Sequence, residues 1–237
     1  DAGILEQRDA FIELDFDHIF VKAGKQQIVW GELEGFKILD VVNPQSFREF
    51  ILEDFDESRI GLWSLSVEMD LPSTHLGEWT AQAVWVPDTT VHEIPERSAI
   101  FEFRAPRFRF GQPAVDPLPI RVSTKRPSRS IENVGIGVRI VGFVDGWDVT
   151  ALAYSGMDPE PVGRGEASAN GVELIRLHRR KDLIGASAAR TFGSVTVRTE
   201  IGVQPNRTFV GRDQFGGLSE IQATQTSAAF VTDFAEP

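Results

Sequence analysis

The residues RIGLWSLSVEMDL, Arg59–Leu71, alternate in character: Gly61, Trp63, Leu65, Val67, Met69 and Leu71 occupy one set of positions, and Ser64, Ser66, Glu68 and Asp70 the other. A side-chain period of two belongs to a β-strand, so this stretch presents one apolar face and one polar face. WTAQAVWV repeats the pattern, with Trp79, Ala81, Ala83 and Trp85 set against Thr80 and Gln82. In SVTVRTEIGV, Val195, Val197, Thr199, Ile201 and Val203 oppose Ser194, Thr196, Arg198, Glu200 and Gly202. VGIGVRIVGFV and WDVTALAYSG are joined by Asp145-Gly146, a hairpin signal because a two-residue type I′ turn needs positive φ. GVELIRLHRR, DLIGASAARTFG and LSEIQATQTSAAFVTDF extend the series to about ten to twelve strands. Helical periodicity is scarce, and the expected class is all-β.

The chain of 237 residues reads as a single β domain, 1–237, with long loops at about 31–57, 87–131, 157–169 and 204–217. The second of these contains RAPRFRFGQPAVDPLPIRVSTKRPSRS, too rich in proline for a central strand. Tight turns at one end and long loops at the other suit an outer-membrane barrel. A soluble sandwich also has unequal loops, so this feature alone leaves both open.

Composition excludes several functions. The net charge of −11 opposes a general nucleic-acid binder, which needs a basic surface. The basic run RLHRRK at 176–181 reads as a solvated strand end or a lipid-headgroup contact. Without cysteine there is no disulfide, thiolate metal site or cysteine nucleophile. No apolar run reaches the ~18–20 residues of a transmembrane helix, which leaves a membrane barrel open because barrel strands alternate. The opening DAGILEQRDA has acids where a signal peptide carries basic residues, so a mature, truncated or cytosolic chain is expected.

Catalytic and metal signals are weak. His18, His75, His92 and His178 are scattered, and no pair stands at metal-ligand spacing. Ser187 lacks the glycine of a nucleophile elbow, and small strand residues account for it. The acids EDFDE at 53–57 lack the glycine and terminal glutamate of a calcium loop. Gly135, Gly137 and Gly142 do not make a dinucleotide fingerprint. No spacing singles out a carboxylate pair for glycoside hydrolysis. The expectation is therefore no enzymatic activity, no cofactor and no metal.

Two β architectures remain. A sandwich buries large apolar side chains and shows charge to water, whereas a membrane barrel turns apolar side chains outward and polar ones inward. The apolar faces here carry many alanines, including Ala81, Ala83, Ala151, Ala153, Ala186 and Ala188. Trp79 and Trp85 close the two ends of one strand, and Trp147 stands at a strand start beside a tight turn. Aromatic residues at strand ends form an interfacial belt in a barrel. The competing expectation is a soluble or secreted β-sandwich that binds carbohydrate through Trp63 or Trp85.

The stretch GKQQIVWGELEGFKILDVVNPQSFREFI, with the following Arg59-Ile60, resembles a large proteobacterial outer-membrane β-barrel family. In that family a strand G-K-Q-x-x-x-W-G leads into D-V-x-N-P-x-D-x-R-E-F-I. Gly24, Lys25, Gln26, Trp30, Gly31, Asp40, Val41, Asn43, Pro44, Arg48, Glu49, Phe50 and Ile51 match, and Ser46 replaces the more usual acid. The likeness continues through VWVPDTTVHEIP, ENVGIGVRIVGFVDGWDVTALAYSGMDPEPV and DLIGASAARTFGSVTVRTEIG. Family members are longer, so a shortened barrel and the N-terminal part of a larger one are both left open.

The resemblance implies an up-and-down transmembrane barrel that passes small, hydrophobic molecules across the bacterial outer membrane. Its partners would be outer-membrane lipid, the cargo, and periplasmic or inner-membrane transport components. Trp30, with Trp79, Trp85 and Trp147, would form the interface belt. Asp40, Asn43, Arg48, Glu49, Arg59, Arg139, Arg198 and Glu200 would line or gate the lumen. Arg48 and Glu49 are expected to pair with the acids of 53–57 or with Arg59.

Overall fold

Asp145 and Gly146 take φ of 49° and 79°, the tight turn that the Asp-Gly pair predicts. They join β6 (Gly135–Val144) to β7 (Trp147–Met157) in an antiparallel hairpin. Asp17, at φ 55°, turns β1 (Ala10–Phe16) into β2 (Ile19–Gln26). Gly193, at φ 63°, turns β10 (Arg180–Phe192) into β11 (Val195–Arg212). The remaining strands are β3 (Leu62–Thr74), β4 (Gly77–Val86), β5 (Ile120–Lys125), β8 (Val162–Ser168), β9 (Gly171–Leu177) and β12 (Leu218–Phe234). This computed structural model describes residues 7–33, 35–48, 57–74, 77–95, 120–168, 171–212 and 218–234. Among them the one helical element is a single turn, Ile131–Asn133, and the fold is all-β.

Nine strands form one antiparallel sheet in the order β1-β2-β3-β4-β6-β7-β10-β11-β12. A second sheet, β5-β9-β8, is small and pairs β5 with β9 in parallel. Among the described residues, β1 and β12 each have one neighbour and do not pair with each other. Three segments expected as loops contain strand. β5 lies within 87–131, β8 fills much of 157–169, and β11 continues through Arg212. The last difference has a local cause. A bulge between Gln204 and Arg207 carries β11 past Pro205 without losing β12, and Asn206 takes φ 54° there.

Register sorts the nine strands into two faces. One row of partners runs Met69, Ala81, Ile140, Ala151, Ala186, Ile201, Ala228 across β3 to β12. This face stays open, with Trp63, Trp85, Ile184 and Phe230 all roughly half exposed or more. Between its Trp63–Trp85 end and its Trp79–Trp147 end the open face carries no charged side chain among the described residues. Its charges stand at the margins: Lys25 in register with Trp63, Asp182 opposite Ser155, and Arg190 against the rings of Trp147 and Phe192. From Trp79 to Trp85 the strand covers roughly 20 Å at ~3.4 Å per residue.

The other face is polar. Its rows include Glu68, Gln82, Arg139 and, further along, Ser187 beside Glu200. It is also covered. Beyond Gln26 the chain leaves the sheet, and residues 27–33 form no strand. Ile28, Trp30, Ile38, Leu39, Val41 and Val42 then pack on Leu62, Val84, Val86, Leu152, Tyr154 and Leu183 of the wall. The expectation that GKQQIVWG runs as one strand to the sheet edge is therefore corrected. Trp30, expected in the belt, is 1% exposed and sits in the centre of the inner core. Its length and aromatic bulk are used to fill the space under the wall, not its margin.

Candidate functional site

The inner segment 27–47 docks because the wall has room for it. A Cβ on Gly137 would stand 2.4 Å from Trp30 Cη2, and one on Gly185 would stand 2.2 Å from Leu39 Cδ2. Gly137 and Gly185 are thus the notches that receive the large inner side chains. Trp30 meets Tyr154 edge to face at 6.1 Å, and its Nε1 donates to Gln82 Oε1 at 2.7 Å.

Polar side chains fix the same segment. Glu200 Oε1 accepts from the backbone N–H groups of Glu32 at 2.5 Å and Leu33 at 3.0 Å. Its Oε2 accepts from the N–H of Leu39 at 3.3 Å. Asn43 ties two chain segments together: its Oδ1 accepts from Ile28 N–H and its Nδ2 donates to Ile60 O, each at 2.8 Å. Arg59 Nε donates to Asp40 Oδ2 at 2.8 Å with both side chains buried. Such buried groups need partners, and these bonds hold backbone that has no sheet partner of its own.

Residues 57–61 and 87–95 complete the lining. Gln45 and Arg59 form an isolated antiparallel bridge, and Ser46 and Glu93 a parallel one. Gln45 N–H donates to His92 Nδ1 at 2.8 Å, and Arg48 pairs with Glu93 at 2.9 Å. Burial, opposed by Asp40 and helped by Arg59 and Lys181, brings the Lys37 ammonium down to about 8. Burial, with the charges of Lys37 and Lys181, brings His92 down to about 4.

Where the inner segment meets β10, β11 and the residues 158–160 that follow β7, a polar cavity of about 210 Å³ remains. Lys37, Asp40, Val41, Asn43 and His92 line it from one side, and Asp158, Pro159, Glu160, Lys181, Gln204 and Arg207 from the other. Asp158 holds the wall side together, with Lys181 Nζ 3.4 Å from its Oδ1 and Arg207 Nε 3.4 Å from its Oδ2. Arg207 also reaches Glu160 at 2.6 Å and Gln225 at 2.5 Å. The β11 bulge makes this possible. Gln204 pairs with Gln225 and Arg207 with Ala223, so three residues of one strand oppose two of the other, and Arg207 returns to the face Gln204 uses.

The expected lumen residues divide. Asp40, Asn43, Arg59 and Glu200 converge on the inner segment. Arg139 lies on the covered face and donates to Val29 O at 3.2 Å. Arg198 lies on the same face, farther from the cavity, and pairs with Asp233. Arg48 pairs with Glu93 and Arg59 with Asp40, and the partners expected for them lie largely outside the described residues. Glu49, and the acids of 53–57 other than the exposed Glu57, lie outside the described residues. Trp79, Trp85 and Trp147 stand at the ends of the open face.

Sequence reasoning missed Lys37, His92, Asp158, Lys181, Gln204 and Arg207. Two signals pointed to them: Pro205-Asn206 interrupting an alternating strand, and a basic run beginning at Arg176. Part of that run is buried, while Arg180 is exposed. Lys181 is 7% exposed and paired with Asp158, Arg179 is paired with Glu220, and His178 is buried with Nδ1 3.0 Å from Asp158 O.

No curated protein matches the chain, and no solved structure does. A family model described as a protein of unknown function (DUF1302) matches residues 4–233. The match runs from before β1 to the last residues of β12, and this chain belongs to that family.

Proposed function

We propose that the nine-stranded sheet is the wall of a β-barrel in the bacterial outer membrane, and that the barrel passes small molecules past an inward-folded inner segment. The observation that carries this reading is the inversion of the two faces. Among the described residues the open face is apolar and free of charge between two aromatic ends, while the polar face carries the charges and packs the inner segment over part of its area. A sheet exposed to water on its open face would show the opposite order, whereas lipid requires this one. The aromatic ends, Trp63 and Trp85 against Trp79 and Trp147, match interfacial girdles. In lipid the edges of β1 and β12, which have no partner among the described residues, would leave backbone groups unsatisfied, so the reading requires that these edges be paired. No catalytic step enters it.

A second reading rests on Trp63 and Trp85. In register, Trp85 faces Leu65, two residues from Trp63, so the two exposed rings are diagonal neighbours that could hold a sugar ring in a soluble module. One experiment separates the two. The expressed chain is extracted with and without mild detergent and run on a gel unheated and boiled. Detergent dependence with faster unheated migration supports the barrel. A chain that stays monomeric and soluble in plain buffer sinks it and directs attention to glycans.

A further inference from the structure

We infer that the cavity between the inner segment, β10, β11 and residues 158–160 is a binding chamber for a small, net-neutral polar solute bearing both hydrogen-bond donors and acceptors. The inference rests on the reading of the chain as a conduit and names the class of molecule that passes.

Three features of the chamber select that class. Of its eleven lining residues only Val41 and Pro159 are apolar, so a hydrocarbon would strand charged groups without water. Its charges balance: Lys37, Lys181 and Arg207 face Asp40, Asp158 and Glu160. A bound ion would meet as many like charges as opposite ones, which penalises either sign. Finally, polar valences are left over. Gln204 Oε1 and Asp40 Oδ1 are buried acceptors that no described donor reaches, and both residues line the chamber. Gln204 as a whole is 8% exposed and Asp40 1%. On the donor side, Lys181 has three N–H groups, and Asp158 is its one hydrogen-bond partner among the described residues.

Buried polar atoms of this kind are normally satisfied. The chamber can satisfy its own with water, since about 210 Å³ corresponds to roughly seven molecules at ~30 Å³ each. A polyol or a zwitterion of a few heavy atoms replaces that water bond for bond, and an apolar solute does not. The β11 bulge belongs to the same design, because without it Asn206 would occupy the face from which Arg207 holds Asp158 and Glu160.

The test is vesicle swelling with the full chain reconstituted in phospholipid. Isotonic glycerol and glycine serve as net-neutral probes and sodium gluconate as the charged one. The expected result is fast swelling in glycerol and glycine and little in gluconate. Gln204→Leu should slow both neutral probes by about tenfold, the effect of one lost hydrogen-bond partner. Gln204 Oε1 has no described protein donor, so this change leaves the wall's hydrogen bonds intact. Lys181→Met provides a second variant that removes the donor side. Neutral-solute swelling unaltered in both variants would overturn the chamber and leave the conduit standing, and so would faster passage of gluconate than of glycerol. No swelling in any solute would overturn the conduit itself, and the chamber with it.

Discussion

Gly137 lies directly beneath the indole of Trp30, so close that a Cβ on it would stand 2.4 Å from Cη2 and 2.9 Å from Tyr154 Cδ2. The wall residue has no side chain because the inner residue has a large one. Inner segment and wall are therefore one packing unit, and changes at this contact test whether the segment is held in place.

Gly137→Val should push Trp30 out of its notch. Overpacking typically costs about 1–3 kcal/mol, and here the cost falls on docking of the inner segment, since the β4–β6–β7 register needs no glycine. The expected outcome is faster proteolysis within 27–47 and a red shift of tryptophan emission, with strand content unaltered by circular dichroism.

Two ion pairs on the covered side should behave differently. Asp40 and Arg59 are 2% and 7% exposed, and Asp40→Ala would remove the buried carboxylate to which Arg59 Nε donates, at a cost of about 3–5 kcal/mol. The Arg48–Glu93 pair is 50% and 30% exposed, so Arg48→Ala should cost about 0–1 kcal/mol. Urea unfolding midpoints of the two variants would check the order, and equal midpoints would contradict the burial assigned to Asp40.

Depth on the open face can be read with arginine. Ile140 is central in β6, whereas Val197 is in register with Arg190, beside the Trp147 end. Under the membrane reading Ile140→Arg should cost ~2–4 kcal/mol and Val197→Arg closer to ~0–1, because the penalty falls toward the interfaces. Folding into vesicles measured by heat-modifiable migration would check this. An Ile140→Arg chain that folds like the parent places that face in water.

Acid should loosen the lining through His92. Its Nδ1 accepts the Gln45 N–H, and burial with the nearby lysines brings it to about 4, below the ordinary histidine value of 6.5. Between those values the unfolded chain binds the proton and the native one does not, so stability is fully present above pH 6.5 and falls as pH drops toward 4. His92→Gln should flatten this part of the curve, measured as the dependence of the unfolding midpoint on pH.

Much of the wall was legible in the sequence. Alternation at Arg59–Leu71, Trp79–Val86 and Val195–Val203 identified strands and their two unlike faces, because a period of two needs no knowledge of what covers either face. Asp145-Gly146 gave its turn for an equally local reason. The tryptophans at strand ends could be placed for the same cause, since Trp79, Trp85 and Trp147 lie where their strands begin or end.

Trp30 could not be placed that way. It follows an alternating run, and only the packing of 27–47 against Gly137 and Tyr154 makes it an inner residue. The same is true of Lys181 and Arg207, which lie 26 residues apart and are brought to one carboxylate by the β7–β10–β11 register and by the bulge at Asn206. The sequence by itself determined the strands, their turns and the opposition of apolar and polar faces, all set by neighbours along the chain. Tertiary structure decided which segment folds inward, which glycines receive it and which charges meet at Asp158, because those depend on contacts between residues far apart in sequence.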